Sequence, residues 1–175
     1  MKLKYDIYIS NPSNSNRYAL GRSGANTLIV FGVNPSVATN MKSDNTLTKI
    51  DKFSKLHGFD SFVVFNVYPK RSTDPNKLPK RALQSSHKEN LSVINEFLEG
   101  IKKPVIWAAW GTTILKRNYL TKCLNEINTL TKKFNPSWLI CGEKTKTGHP
   151  RHPSRLGYKN TFFEFNIDKY LKALK

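Results

Sequence analysis

The stretch Leu28-Ile29-Val30-Phe31-Gly32-Val33-Asn34-Pro35-Ser36 constrains the fold of this chain more than any other. Its apolar run, broken only by Gly32, suits a central parallel strand buried on both faces. Pro35 has no N–H for a ladder and biases Asn34 towards extended backbone, so the strand must stop there. An amide side chain is thereby held at the carboxyl end of a buried strand, where open α/β sheets place their ligand sites.

The pattern recurs. Ser61–Pro69 is a second apolar strand with Asn66 near its end, Pro104–Gly111 a third, and Trp138–Gly142 a fourth. Between them run helical stripes. Leu47, Ile50, Phe53 and Leu56 share one face of a helix that ends at Gly58, with Asp44 or Thr46 as its cap. Ser86-His87-Lys88-Glu89 matches a capping box opening a second helix, with His87 in its solvated first turn. A third helix is expected from Thr112 to about Lys133. Strands alternating with helices predict a three-layer α/β/α sandwich around a central four-stranded, mainly parallel sheet. A hairpin (Tyr5–Ile9 with Arg17–Arg22), a strand at Phe162–Phe165 and a short helix around Leu171 are expected at the periphery. With 175 residues and no linker or repeat, residues 1–175 read as a single domain.

Charge narrows the partner. The chain has 29 Lys and Arg against 12 Asp and Glu, a formal +17, which points to a polyanion and, for an α/β chain, to nucleic acid. Basic residues gather in two aperiodic loops. One holds Lys70, Arg71, Lys77, Lys80 and Arg81; the other spans residues 144–155 and holds Arg151 and Arg155. The two cysteines leave no room for a disulfide framework, a four-thiolate zinc site or an iron–sulfur cluster, and no cofactor is expected. The start, Met1-Lys2-Leu3-Lys4, has no apolar signal region, and no run reaches membrane-spanning length. The expectation is a cytoplasmic monomer.

In the inferred topology the strand ends open onto one rim. Asn34, Asn66, Trp110-Gly111 and the loop His149–Ser154 meet there. An amide orients a water molecule, a second amide offers a donor and an acceptor to a base edge, and a histidine stabilises an anionic leaving group. His149 and His152 both qualify for the last role. Phe53, Phe65 and Tyr68 are either stacking surfaces for a base or simply core. Asp44 is either a helix cap or a carboxylate for the site. The chain has no Gly-rich phosphate cradle and no Ser-His-Asp signature.

These motifs resemble those of the uracil-DNA glycosylase superfamily, in the same order, over roughly residues 28–157. Gly32-Val33-Asn34-Pro35-Ser36 resembles the Gly-Ile-Asn-Pro-Gly motif of its mismatch-specific branch, whose Asn positions the hydrolytic water. Val63-Val64-Phe65-Asn66 is similar to the strand ending in the Asn that reads the pyrimidine edge. Ile106 to Gly111 resembles the family's third strand, which also ends in Trp-Gly. His152-Pro153-Ser154-Arg155-Leu156-Gly157 looks like His-Pro-Ser-Pro-Leu-Ser, in which the His stabilises the departing base, the Ser contacts phosphate and the Leu fills the emptied stack. Two departures stand out. Arg155 and Gly157 replace Pro and Ser, so Arg155 acts beside or instead of Leu156. Ser36 stands where the uracil-specific branch has a Tyr that blocks 5-substituted pyrimidines, which opens the pocket to larger bases. The wider pattern, with Arg17-Tyr18-Ala19-Leu20-Gly21-Arg22 and Asn66-Val67-Tyr68-Pro69, resembles a little-characterised domain family related to that superfamily.

The resemblance implies a monofunctional DNA N-glycosylase that releases a modified or damaged pyrimidine, including a hypermodified base of invading phage DNA, and leaves an abasic site. It assigns Asn34 and His152 to catalysis, and Asn66, Ser36, Trp110, Gly111, Tyr68 and Phe53 to the base. Lys70, Arg71, Lys77, Lys80, Arg81, Arg151, Ser154, Arg155 and Leu156 are expected on DNA. The competing readings are a non-catalytic nucleic-acid-binding module on the same fold and an N-glycosidase of free nucleosides or nucleotides.

Overall fold

A computed structural model describes residues 4–174. Met1-Lys2-Leu3, part of the segment expected to lack a signal region, lies outside the described residues. The strands are β1 (Ile7–Ser10), β2 (Arg17–Arg22), β3 (Thr27–Gly32), β4 (Ser61–Asn66), β5 (Val105–Ala108), β6 (Ser137–Cys141) and β7 (Phe162–Glu164). The helices are α1 (Asn45–Leu56), α2 (Gln84–Glu99), α3 (Asn118–Thr131) and α4 (Ile167–Ala173). The α/β class expected from the sequence is present, but the sheet is larger than four strands. All seven strands form one sheet in the order β1-β2-β4-β3-β5-β6-β7.

The four expected strands are its parallel centre: β4, β3, β5 and β6 pair in parallel, with Gly32 opposite Asn66 and Phe31 opposite Ala108. The hairpin and the C-terminal strand, expected at the periphery, extend the sheet instead. β2 pairs antiparallel with β4, and β7 antiparallel with β6. Gly21 makes the first of these unions possible, because a Cβ there would lie 2.7 Å from Val63 Cα.

Both sheet faces are apolar, as a parallel centre requires. Ile29, Phe31, Val63, Phe65, Ile106 and Ala108 pack with residues of α2, α3 and α4. Leu28, Val30, Phe62, Val64 and Trp107 pack with Leu47, Ile50 and Phe53 of α1. Asp44 caps α1, its Oδ1 accepting the Leu47 N–H at 2.8 Å, and Gly58 turns the chain away beyond it at φ 82°.

Two helix starts differ from expectation. α2 begins at Gln84 without a side-chain cap, because Ser86 is buried and its Oγ accepts Asn16 Nδ2 at 2.9 Å. His87, expected in solvent, is buried against α3, where its Nε2 lies 2.7 Å from Glu126 Oε2. α3 starts at Asn118 rather than after Thr112: Gly111, at φ 62°, sets off a 3₁₀ turn over Gly111–Leu115 first. Both cysteines are buried free thiols, and burial pushes Cys141 up to about 11. Among the described residues no helix is long and apolar enough to cross a membrane.

Candidate active site

The carboxyl ends of β3, β4 and β5 and the loop after β6 enclose a cleft of about 410 Å³. Asn34, Ser36, Trp110, Gly111, Arg151, His152, Ser154 and Arg155 all border it. Behind it lies a chamber of about 90 Å³ bordered by Asn34, Ser36 and His152 again, and by Arg17, Asp44 and Asn66. The residues shared by the two spaces mark where the outer cleft meets the inner chamber.

Asn34 is fixed by the chain around it. β3 and β4 stay zipped past their ends, with the Val67 N–H on Gly32 O at 2.8 Å and the Tyr68 N–H on Val33 O at 2.9 Å. The Ser72 N–H then reaches Pro35 O at 2.8 Å. This brings two carbonyls to the Asn34 amide: Nδ2 donates to Ser72 O at 2.9 Å and to Pro35 O at 3.1 Å. Two carbonyl partners require the NH₂ end, so the amide orientation is settled and Oδ1 is left as a free acceptor.

His152 has the complementary polarity. Its Nδ1 accepts the Ser154 N–H at 3.3 Å and lies 2.7 Å from Ser154 Oγ. A neutral imidazole held this way carries its proton on Nε2 and is a donor there. Burial holds its pKa below the ordinary histidine value; Asp44 opposes that shift, and Arg155 and Lys49 add to it. Gly111 gives the ring its place: a Cβ on it would lie 3.3 Å from His152 Cβ.

Of the two candidate histidines, only His152 borders the cleft. His149 is buried, its Nδ1 2.8 Å from the Tyr170 hydroxyl, which also accepts the Trp110 indole N–H at 3.0 Å. Burial lowers the pKa of His149 as well. Trp110 reaches the cleft wall, but its ring packs among Trp138, Phe165 and Tyr170. Asn66 is buried at the border of the inner chamber, and its Nδ2 has no partner among the described residues. Gly32 opposite it makes the room, since a Cβ there would come within 2.9 Å of Asn66 Oδ1.

Several expected contacts are not brought to the site. Phe53 is fully buried under the sheet against Trp107, 5.5 Å between ring centres. Tyr68 turns to the other face, accepts the Leu83 N–H at 2.8 Å, and with Lys70 lines a separate groove of about 600 Å³. Phe65 is core. Leu156, expected to fill a base stack, is buried in the α1 face, and Lys49 Nζ holds its carbonyl at 2.8 Å. Ser154, expected on phosphate, does border the cleft, with its hydroxyl against His152 Nδ1. Arg71, expected on DNA, is spent inside the protein: Nε donates to Ser36 O at 3.1 Å, and Nη1 to Tyr8 Oη at 2.8 Å and Asn14 Oδ1 at 3.0 Å. Lys77, Lys80 and Arg81 are exposed but do not border the cleft. Arg151 and Arg155 do, and both also border a neighbouring groove with Lys159.

Two site residues lacked an assigned role in the sequence. Lys49 ties α1 to the loop that carries His152. Arg17 opens β2, where its N–H meets Pro69 O at 3.0 Å, and its buried guanidinium reaches the inner chamber. The available signal was a cation at the head of a strand whose centre, Tyr18-Ala19-Leu20-Gly21, is uncharged. Among the described residues no group of three or more His, Cys, Asp or Glu is gathered as metal ligands require.

Residues 17–154 match the model of the family described as "Protein of unknown function (DUF1643)". No curated protein and no solved structure matches the chain.

Proposed function

We propose a hydrolytic function for this chain, which belongs to the DUF1643 family: it is a DNA glycosylase on a uracil-DNA glycosylase-like α/β/α fold. Its substrate is a modified or damaged pyrimidine, flipped out of the strand into the cleft. The observation that carries the reading is the opposed polarity of two fixed side chains on one chamber. Asn34 presents a free acceptor because both its donors are bound, and His152 presents an Nε2 donor because Nδ1 accepts from Ser154.

The reaction uses that opposition. Asn34 Oδ1 accepts a hydrogen bond from a water molecule and aims its oxygen at C1′ of the sugar. As the C1′–N bond breaks, its electron pair leaves with the base, and the His152 Nε2–H donates to the developing anion. The neutral imidazole favoured by burial suits this role. An amide is too weak a base to take the water's proton. The water's proton therefore passes to solvent once its oxygen has joined the cationic sugar, while Asp44 stays the cap of α1. Asn66 meets the base edge, and Ser36 leaves space for a 5-substituent. Arg151 and Arg155 on the cleft wall meet the phosphates, helped by a formal charge of +17.

The test is mass spectrometry of bases released from a panel of modified DNAs, including hypermodified phage DNA. One modified pyrimidine should be released, leaving an abasic site. Asn34→Ala and His152→Ala should each lower the single-turnover rate about 10²–10³-fold with DNA affinity retained. Their combination should fall well short of the product of the two, because both act on one transition state. A parent that binds DNA with a steep salt dependence but releases no base is the non-catalytic binding module instead.

A further inference from the structure

The inner chamber is bordered by a buried cation that has no ion-pair partner among the described residues. That cation is Arg17, only 4% exposed. Its Nη1 donates to Ala38 O at 2.9 Å, while its Nε is enclosed without a partner. Arg71, a second cation, reaches for the same carbonyl at 3.4 Å. Asp44 borders the chamber too, but its Oδ1 is engaged by the Leu47 N–H. Burial and the charge of Arg71 push Arg17 down to about 10 against the opposing pull of Asp44, which leaves it protonated at neutral pH.

Buried polar groups are nearly always paired, and an unpaired buried cation is the costliest exception. Among the described residues two enclosed donors lack partners, Arg17 Nε and Asn66 Nδ2, and both residues border the one chamber. A guanidinium donates only, so neither group is satisfied by another donor. The occupant must bring acceptor atoms or negative charge. At about 90 Å³ the chamber has room for about three water volumes of ~30 Å³ each, enough for the leading edge of a base while the sugar stays in the outer cleft.

We infer that Arg17 is a catalytic residue whose guanidinium stabilises the negative charge on the departing pyrimidine from the side of the ring away from the sugar. The inference rests on the glycosylase reading of the chamber. In the ground state the guanidinium donates only to a neutral carbonyl of the base. As the C1′–N electron pair passes to the ring, the attraction grows, so the interaction is strongest in the transition state. His152 and Arg17 then share the charge on the leaving group, and Asn66 fixes the ring between them.

The probe is 5-nitrouracil, an acidic free base whose neutral and anionic forms differ in absorbance. Titrated into the parent protein across pH, its anion should bind about 10–100-fold tighter than its neutral form. The Arg17 Nε–H resonance should shift as the anion binds. Arg17→Met should remove the preference and Arg17→Lys should keep part of it. On a DNA substrate that the parent accepts, Arg17→Met should lower the single-turnover rate, and less so when an electron-withdrawing substituent makes that base a better leaving group. Failure of the base to bind, equal affinity for both forms, or a preference that survives in Arg17→Met overturns the assignment. The Nε–H shift is read on the parent, so the test stands even if Arg17→Met does not fold. Base release without anion preference removes Arg17 alone from the mechanism. Anion preference without release from any DNA supports Arg17 as the anion's partner and removes the glycosylase reading.

Discussion

Gly111→Ala tests whether the backbone truly seats His152 as described. Gly111 sits at φ 62°, and a Cβ added there lies 3.3 Å from His152 Cβ. Two terms follow. A non-glycine residue in the left-handed region costs about 1–2 kcal/mol. The crowded contact adds to that unless His152 moves. Gly58 and Gly148 separate the terms, since they hold φ 82° and 84° with nothing within 4 Å of a Cβ. Gly58→Ala and Gly148→Ala should each lose about 1 kcal/mol by urea denaturation and leave base release unchanged. Gly111→Ala should lose as much or more in stability, equivalent to roughly 2–8 °C in melting temperature for a domain of this size. It alone should also slow the reaction, because a displacement near 1 Å in a catalytic group costs on the order of 10²-fold. If Gly111→Ala behaves like the two control variants in both assays, His152 is not seated against Gly111 and the site geometry is wrong.

His149 and His152 both have folded pKa values below the ordinary histidine value of about 6.5, so the unfolded chain binds more protons as pH falls. Their contribution to stability is complete above about pH 6.5 and is lost as pH drops through the lowered folded values; equal urea midpoints at about pH 7.5 and pH 5 refute this. Base release should stay flat through pH 6.5 and fall only below it, as protonation of Nδ1 breaks its bond to the Ser154 N–H. Arg71→Ala should destabilise the fold by about 1–3 kcal/mol through its lost internal hydrogen bonds, as read by denaturation. Lys77→Ala, Lys80→Ala and Arg81→Ala should leave stability within about 0.5 kcal/mol. If those three touch phosphate, each flattens the salt slope of DNA binding by about one.

The parallel centre of the sheet and the positions of Asn34, Asn66 and His152 were legible in the sequence because their signals are local. Apolar runs mark buried strands, and Pro35, Pro69, Gly111 and Pro153 mark where they stop or turn. Strand ends on one rim then follow from topology. What the sequence could not decide is where a side chain points once regular structure ends. Tyr68 lies two residues beyond Asn66 and would share its face if β4 continued; β4 stops at Asn66, the alternation lapses, and Tyr68 joins the opposite core. The hairpin's union with β4 hung on a close approach at Gly21, between residues about forty apart in the chain. Arg71 and Arg17 are both basic residues with no local pattern to separate them. Tertiary structure turned one into a strut for the Ser36–Ala38 loop and left the other beside the chamber with an enclosed Nε that has no partner among the described residues. Composition and period determined the scaffold and the rim. Which charges are spent inside and which remain for a ligand is a matter of long-range neighbours, and only the folded chain supplies those.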